Sequence, residues 1–489
     1  MKLFLEQNNF QYAAEQLFYS LFPHEKAEYA ATKAEADIIL KLSATARRTT
    51  ASARVAYRGT TAVARRSLPN SAFQNPLQTS SALQRILKLA FYAAATKVLG
   101  GDPPWGAITG VRPVKIPTRI LAAGGTPAKA ENYLSKTLHV APPQIALALD
   151  CARYTAALDA ARNPRCVPLY VGIPFCPTRC AYCSFVSADV GKSAPLLSPF
   201  LAALDREIAV TAAFFRSHDL KVDSIYIGGG TPTTLSAPQL QHLMRRLAQH
   251  FDLSHCTEYT VEAGRPDTIT AEKMAVLQQH GATRVSVNPQ SMEDAVLRAM
   301  GRSHTPGQIL QAYRDARESG IAAVNMDLIA GLPADSPEGF CRSLDQVLAL
   351  DPENITVHTL SLKKGSALLL GDEKNRLPTE EAVGEMLSYS AKALRQSGYK
   401  PYYLYRQKFM SGGFENVGWT KPGFESTYNV CMMEELCSVV SLGGGGVTKL
   451  VSRETGSIQR IANPKYPKEY VENIEKILTQ KETLPWPIS

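Results

Sequence analysis

Cys176, Cys180 and Cys183 stand close together, with three residues between the first pair and two between the second. Three thiolates on one short loop can hold three corners of an iron–sulfur cube and leave one iron without a protein ligand. An open coordination position is what separates a catalytic metal centre from a structural one. Two other chemistries use the same residue type. A zinc site wants a fourth nitrogen or sulfur ligand, and no Cys or His follows closely in this loop. A disulfide would leave one thiol over, in a chain that nothing marks as secreted.

The cysteines follow a strand-like apolar run, Pro168 to Ile173. From there the chain alternates between two periodicities. Strands are predicted at Leu169–Ile173, Ser224–Ile227, Glu258–Glu262, Arg284–Val287, Ala323–Leu328 and Ile355–Leu360. Helical segments separate them at Ser198–Arg216, Pro238–His250, Ala271–His280, Asp294–Ala299 with Pro306–Gly320, and Glu338–Ala349. Six β-α units in a row argue for parallel strands with right-handed crossovers. Closed barrels of this kind have about eight units, so the expected fold class is α/β, a partial (β/α)6 TIM-like barrel. An N-terminal α+β region and a mainly helical C-terminal region flank it. Expected domains are 1–163, 164–370 and a substrate-covering 371–489.

In such folds chemistry sits on the loops after the strands, and those loops are polar here. The second strand ends in Gly228-Gly229-Gly230-Thr231-Pro232-Thr233, where bare backbone can approach a carboxylate or phosphate. The third ends in Glu262-Ala263-Gly264, and the fourth in Asn288-Pro289-Gln290, followed by Gly301-Arg302-Ser303-His304. The fifth carries Asn325-Met326-Asp327, then Leu328-Ile329-Ala330-Gly331-Leu332-Pro333. Glu, Gln, Arg and Asp together can meet an amine, hydroxyls and a carboxylate. Singly, each could cap a helix or form an ion pair.

The rest of the chain bounds the function less tightly. Its 489 residues are 45% hydrophobic and 20% charged, ordinary values for a globular protein. The opening residues lack a signal-peptide pattern, and no apolar run is long enough to span a bilayer. A cytoplasmic protein is expected, with its nine cysteines reduced. A net charge of +9 is compatible with nucleic acid, an anionic surface or a multiply anionic small molecule. Between Ala34 and Leu68, Arg47, Arg48, Arg54, Arg58, Arg65 and Arg66 alternate with small residues, as in exposed strands. Without interleaved aromatics the solvated-face reading is preferred to RNA binding. The loop from Trp105 to Lys115 reads as a structural turn, a docking element or an anion site. In the tail, Tyr399, Tyr402, Tyr403 and Tyr405 could line a pocket or a core, Gly443–Gly446 reads as a tight turn, and Cys431 and Cys437 as buried free thiols.

The cysteine loop, the Gly-Gly-Gly-Thr-Pro loop and Asn-x-Asp-Leu-Ile-x-Gly-Leu-Pro resemble the radical S-adenosylmethionine (SAM) superfamily. More narrowly, Leu169 to Ser361 is similar to oxygen-independent coproporphyrinogen III oxidases and their relatives. Thr109–Lys115 and Val417–Glu425 resemble the longer, HemZ-type coproporphyrinogen dehydrogenase branch. The resemblance implies a [4Fe–4S] cluster on Cys176, Cys180 and Cys183, with S-adenosyl-L-methionine on its free iron. It implies cofactor contacts from Tyr170, Gly229, Gly230, Thr231, Glu262, Gln290, Arg302, Asp327 and the backbone of Ser361. It also implies a tetrapyrrole substrate, a reducing donor such as flavodoxin or ferredoxin, and oxidative decarboxylation of propionates to vinyl groups. No residue is assigned as a catalytic acid or base. Two positions depart from the pattern: Gly172, where the family often has His, and Phe185, where the oxidases carry a further cysteine and the haem-chaperone relatives carry Phe. The alternatives are therefore a haem-binding and delivery protein, and a radical SAM enzyme that modifies RNA.

Overall fold

The computed structural model describes all residues except 7–9, 74–75, 185–186, 363–365, 367, 369–375, 408–410 and 487–489. Phe185 and the expected boundary at 370/371 lie outside the described residues. The chain forms two compact units, Met1–Leu149 with Arg406–Phe414, and Asp150–Tyr405 with Glu415–Ser489.

In the first unit, β1 (Lys2–Leu5), β2 (Glu28–Tyr29), β3 (Ile38–Ala44), β4 (Arg48–Tyr57) and β5 (Thr60–Pro69) form one sheet in the order β2-β1-β3-β4-β5. The β4–β5 hairpin turns through Arg58 and Gly59, both at positive φ (47° and 79°), the two-residue turn that matches strand twist. The period-2 alternation is real: Thr49, Ala51, Ala53 and Val55 are buried, whereas Arg48 and Arg54 are exposed. Helices α1 (Gln11–Leu21) and α2 (Pro76–Leu99) supply the cover, with α2 across β4 and β5. The Trp105–Lys115 loop is built inward. Trp105 is buried, Arg406 Nη1 donates to the Ile108 carbonyl at 2.8 Å, and its guanidinium lies over the Trp105 ring.

In the second unit, β6 (Cys166–Ile173), a short ribbon of β7 (Phe175–Cys176) and β8 (Ala188–Asp189), β9 (Lys221–Gly229), β10 (Glu258–Glu262), β11 (Arg284–Ser286), β12 (Ala323–Ala330) and β13 (Asn354–Thr359) follow in order. β6, β9, β10, β11, β12 and β13 are the six parallel strands expected, adjacent in sequence order. Crossover helices begin where their caps dictate. Ser236 and Gln239 close a capping box at the helix Ala237–His250, as do Thr305 and Gln308 at Pro306–Glu318. In the first of these Leu240, Leu243, Met244 and Leu247 form the buried stripe.

The tail is more than the helical cover expected. Antiparallel β14 (Lys400–Tyr405) and β15 (Asn416–Thr420) extend the sheet beyond β13, and β16 (Val440–Gly443) joins it in parallel beside β6. An antiparallel pair, β17 (Val447–Val451) and β18 (Ile458–Ala462), follows. Tyr399, Tyr402 and Tyr403 are buried core residues, Tyr402 and Tyr403 packing on Val430.

A buried ion pair pins this tail. Glu207 accepts hydrogen bonds from Gly443 N (2.8 Å), Asn463 Nδ2 (2.8 Å) and Tyr470 Oη (2.6 Å), and Lys481 Nζ stands 3.4 Å away. Lys481 also donates to the Ser441 carbonyl and to Thr448 Oγ1. Lys481→Met strands a buried carboxylate and is expected to cost about 3–5 kcal/mol in urea unfolding of the apoprotein, with Glu207→Gln in the same chain recovering part of it.

Candidate functional site

The cysteine loop leaves β6 at Ile173 and is fastened by backbone bonds to the glycine loop that leaves β9. Gly230 N donates to the Ile173 carbonyl (2.8 Å) and Thr231 N to the Phe175 carbonyl (2.7 Å). A Cβ on Gly230 would stand 2.4 Å from the Phe175 oxygen, so only glycine permits this approach. Further bonds hold the loop from its other sides: Val190 N to the Cys176 carbonyl (2.9 Å), Cys183 N to the Cys180 carbonyl (3.1 Å) and Ala181 N to the Met300 carbonyl (3.0 Å).

Cys180 is buried, and Cys176 and Cys183 are half-buried. All nine cysteines are free, so the loop is not tied by a disulfide. Among the described residues no three His, Cys, Asp or Glu side chains are gathered around a single ion position. A cube needs no such gathering, because each thiolate binds a different iron. Two groups point hydrogens at the sulfurs: Thr231 Oγ1 lies 3.5 Å from Cys176 Sγ, and Arg265 Nη1 lies 3.6 Å from Cys180 Sγ. Donors to thiolate sulfur suit a negatively charged cluster.

The other predicted residues converge at the carboxyl ends of the same strands. Tyr170 on β6 stacks toward Tyr226 on β9 (6.3 Å between ring centroids, 19°). Tyr226 Oη donates to Glu262 Oε1 (2.6 Å) at the end of β10. Gly228 makes room, since a Cβ there would stand 3.1 Å from the Glu262 carboxyl carbon. Gln290 adopts positive φ (67°), its N donating to the Asp327 carbonyl (2.9 Å) and its carbonyl accepting from Ile329 N (3.0 Å). Asp327 is held by Asn325 Nδ2 (2.8 Å) and faces His358 Nε2 at 3.5 Å. Arg302 donates to the carbonyls of Asn288 (2.7 Å) and Gly264 (3.4 Å) and to Tyr182 Oη (3.1 Å), joining two strand ends to the cysteine loop. Ser361 follows Leu360, whose N–H reaches back to Ala330 at the end of β12 (3.0 Å).

The electrostatics of the two carboxylates differ. Burial pushes Glu262 up to about 7, with the nearby Asp327 charge adding to it against the Tyr226 hydrogen bond. Burial also acts on Asp327, but His358, Asn325 and Thr356 outweigh it and hold this carboxylate below its usual range. Several buried polar atoms at these ends have no hydrogen-bond partner among the described residues: Asn288 Oδ1, Gln290 Oε1 and Arg302 Nε. Buried unpaired acceptors and donors on converging loops are what a polar ligand would satisfy. Three thiols, a bare glycine backbone and these groups fit a cluster with an amino-acid-bearing nucleotide.

Sequence reading missed Arg265, Tyr226, Tyr182 and His358. Arg265 is buried, paired with Asp267 (3.1 Å) and aimed at Cys180, and the available signal was a cation three residues after Glu262. Tyr226 could have been found from the strand period, since it shares a face with Gly228. The departure at Gly172 also has a structural cause. A Cβ there would stand 2.4 Å from the Gly444 carbonyl oxygen, so the tail's glycine turn fills the volume a side chain would take.

A run of parallel β/α units with a cysteine loop after the first strand and polar groups at the following strand ends is the framework of a SAM-dependent radical protein. The model of the radical SAM superfamily matches residues 170–347. Oxygen-independent coproporphyrinogen-III oxidase-like protein HemZ of Bacillus subtilis is 40% identical over 380 residues, spanning 77% of this chain and 76% of that one. Heme chaperone HemW of Bacillus subtilis is 34% identical over 267 residues, 53% of this chain and 65% of the chaperone. The solved structure of coproporphyrinogen III oxidase HemN from Escherichia coli shares the fold, with a TM-score of 0.53, 24% identity, and 66% and 72% of the two chains covered. The chain belongs to the radical SAM superfamily and, within it, to the oxygen-independent coproporphyrinogen-III oxidase-like family. Membership implies a [4Fe–4S] cluster and S-adenosylmethionine.

A ligand role for Cys180 predicts that Cys180→Ala loses the brown cluster absorbance after anaerobic reconstitution, together with all cleavage of S-adenosylmethionine. Asp327→Ala should keep the absorbance and weaken S-adenosylmethionine binding by about ten- to a hundredfold in equilibrium dialysis. Glu262 binds its proton more tightly folded (about 7) than at its ordinary 4.5. Its contribution to stability is full below the ordinary value and is lost as pH rises through about 7. The apoprotein should therefore lose thermal stability across that window, and Glu262→Gln should flatten the slope.

Proposed function

We propose that this protein is a radical SAM oxidoreductase that converts propionate side chains of coproporphyrinogen III to vinyl groups, giving protoporphyrinogen IX. The observation that carries this reading is the 40% identity to the coproporphyrinogen-III oxidase-like HemZ over three-quarters of both chains. In this reading Cys176, Cys180 and Cys183 hold the cluster. Gly229, Gly230 and Thr231 receive the amino-acid end of S-adenosylmethionine, and Glu262, Gln290, Arg302, Asp327 and the Ser361 backbone complete its polar contacts. Tyr170 packs beside it. When bound, the pair supplies a 5′-deoxyadenosyl radical able to take hydrogen from a carbon.

The chain's own work is to aim and to enclose. Arg302, tied to Tyr182 between the second and third cysteines, keeps loop and strand ends at fixed separation. In this reading the tail's described part within the second unit covers the substrate side, excluding water and oxygen. A small one-electron protein of the flavodoxin or ferredoxin class supplies reducing equivalents, in the cytoplasm.

A second reading, haem binding and delivery without decarboxylation, is favoured by the 34% and 28% identities to the heme chaperones of Bacillus subtilis and Escherichia coli. One experiment separates them. Anaerobic mass spectrometry of reconstituted, reduced protein with S-adenosylmethionine and coproporphyrinogen III should show sequential loss of carbon dioxide and appearance of vinyl product. Cofactor cleavage without any vinyl product, with a Soret band on titrating haem, would overturn decarboxylation and establish the second reading.

A further inference from the structure

From Ile38 to Gly101 the chain holds ten lysines and arginines and not one aspartate or glutamate. The whole chain holds 53 basic and 44 acidic residues, so the remainder has 43 against 44 and is balanced to within a single charge. The net charge of +9 is therefore not a property of the barrel. It is concentrated on β3, β4, β5 and α2 of the first unit.

The register puts four of these ten charges, Lys41, Arg48, Arg54 and Arg65, on one face. With Thr49, Ala51, Ala53 and Val55 buried, Arg48, Thr50, Ser52 and Arg54 face away from the core. Ser52 stands opposite both Lys41 on β3 and Arg65 on β5, so these two share that outer face. Lys41 is neutralised by Glu6 at 3.1 Å. Arg48, Arg54 and Arg65 are exposed and have no carboxylate partner among the described residues. Arg48 and Arg54 are six residues apart on one strand, about 20 Å at the usual strand rise. Hydroxyls lie between them, Thr50 and Ser67 in mutual contact at 2.8 Å.

We propose that this sheet face binds the phosphate backbone of a nucleic-acid strand. Guanidinium forks match phosphate oxygens two at a time, and neighbouring hydroxyls donate to the same atoms. A protein partner would need a buried aromatic or aliphatic anchor at the centre of its contact. Val63, opposite Arg54, is the one large apolar side chain of β4 and β5 that is strongly exposed among the described residues. A phosphate polymer held by its backbone needs neither an anchor nor the interleaved aromatics that base stacking would use, since its affinity comes from counterion release.

The test uses the full-length protein with its cluster reconstituted, and fluorescence anisotropy of labelled RNA and DNA single strands of mixed sequence across a potassium chloride series. Binding should weaken steeply with salt. The triple variant Arg48→Gln, Arg54→Gln, Arg65→Gln should bind at least tenfold more weakly at low salt. Its slope of log affinity against log salt should be shallower by about 2, at roughly 0.7 per phosphate contact. Its cluster absorbance, S-adenosylmethionine cleavage and melting temperature should match the parent. Tighter binding of one strand type identifies which nucleic acid the face takes. Absence of binding at low salt, or a triple variant with an unchanged slope, overturns the proposal. Equal or tighter binding to anionic lipid vesicles or polyglutamate overturns it as well, because the face would then be a general polyanion surface.

Discussion

Backbone meets backbone at the carboxyl end of β6, and the site depends on that approach. Gly172 pairs with Gly228 on one side and Gly443 on the other. A Cβ on Gly172 would strike the Gly444 carbonyl, one on Gly443 the Gly172 carbonyl at 2.3 Å, and one on Gly444 the Pro174 ring at 2.6 Å. Three chain segments thus converge where β6 hands over to the cysteine loop. The contact is held from outside by Glu207, whose carboxylate accepts from Gly443 N and is neutralised by Lys481. A residue near the C-terminus therefore fixes the wall beside the cysteines through a buried ion pair, a device that gives position more than net stability.

The strand ends carry the opposite kind of constraint. Burying the Glu262 carboxylate, and leaving Asn288 Oδ1, Gln290 Oε1 and Arg302 Nε without hydrogen-bond partners among the described residues, costs free energy. The parallel sheet supplies the rigidity that holds them there, as with Gln290 bridged in left-handed conformation between Asp327 and Ile329. A polar ligand that met these atoms would recover that cost on binding. Glu262 and Asp327 are also set apart by their neighbours, one burdened by burial and the other relieved by His358 and Asn325. Two carboxylates at one end of the sheet thereby acquire different proton affinities.

Much of this was legible in residue order. The β-α alternation gave six strands in sequence, and parallel connectivity then forced the glycine loop, Glu262, Gln290 and Asp327 onto one end. What could not be read was long-range. Arg265 reaches Cys180 across 85 positions, and the tail's strands join both sides of the sheet, β16 beside β6 and β15 beside β13. The tyrosines at 399, 402 and 403 had the right pattern for either a pocket or a core, and only their burial decides for core. Local period reports which face a residue takes, not what stands opposite it.

The location of the net charge alters how a substrate can be recognised. A basic chain looks suited to a macrocycle bearing several carboxylates, but the excess lies between Ile38 and Gly101, and the rest of the chain is nearly balanced. Screening limits such a field to about 10 Å at ordinary salt, so the charge of that sheet acts on what lies directly against it. An anionic ligand at the strand ends would be met by individual groups within the second unit. The buried cations near the cysteines are already engaged, Arg265 with Asp267 and Arg302 with Asn288, Gly264 and Tyr182. Any selectivity at this site would therefore rest on short-range donors and the shape left by Gly172 and the tail, rather than on the overall basicity of the chain.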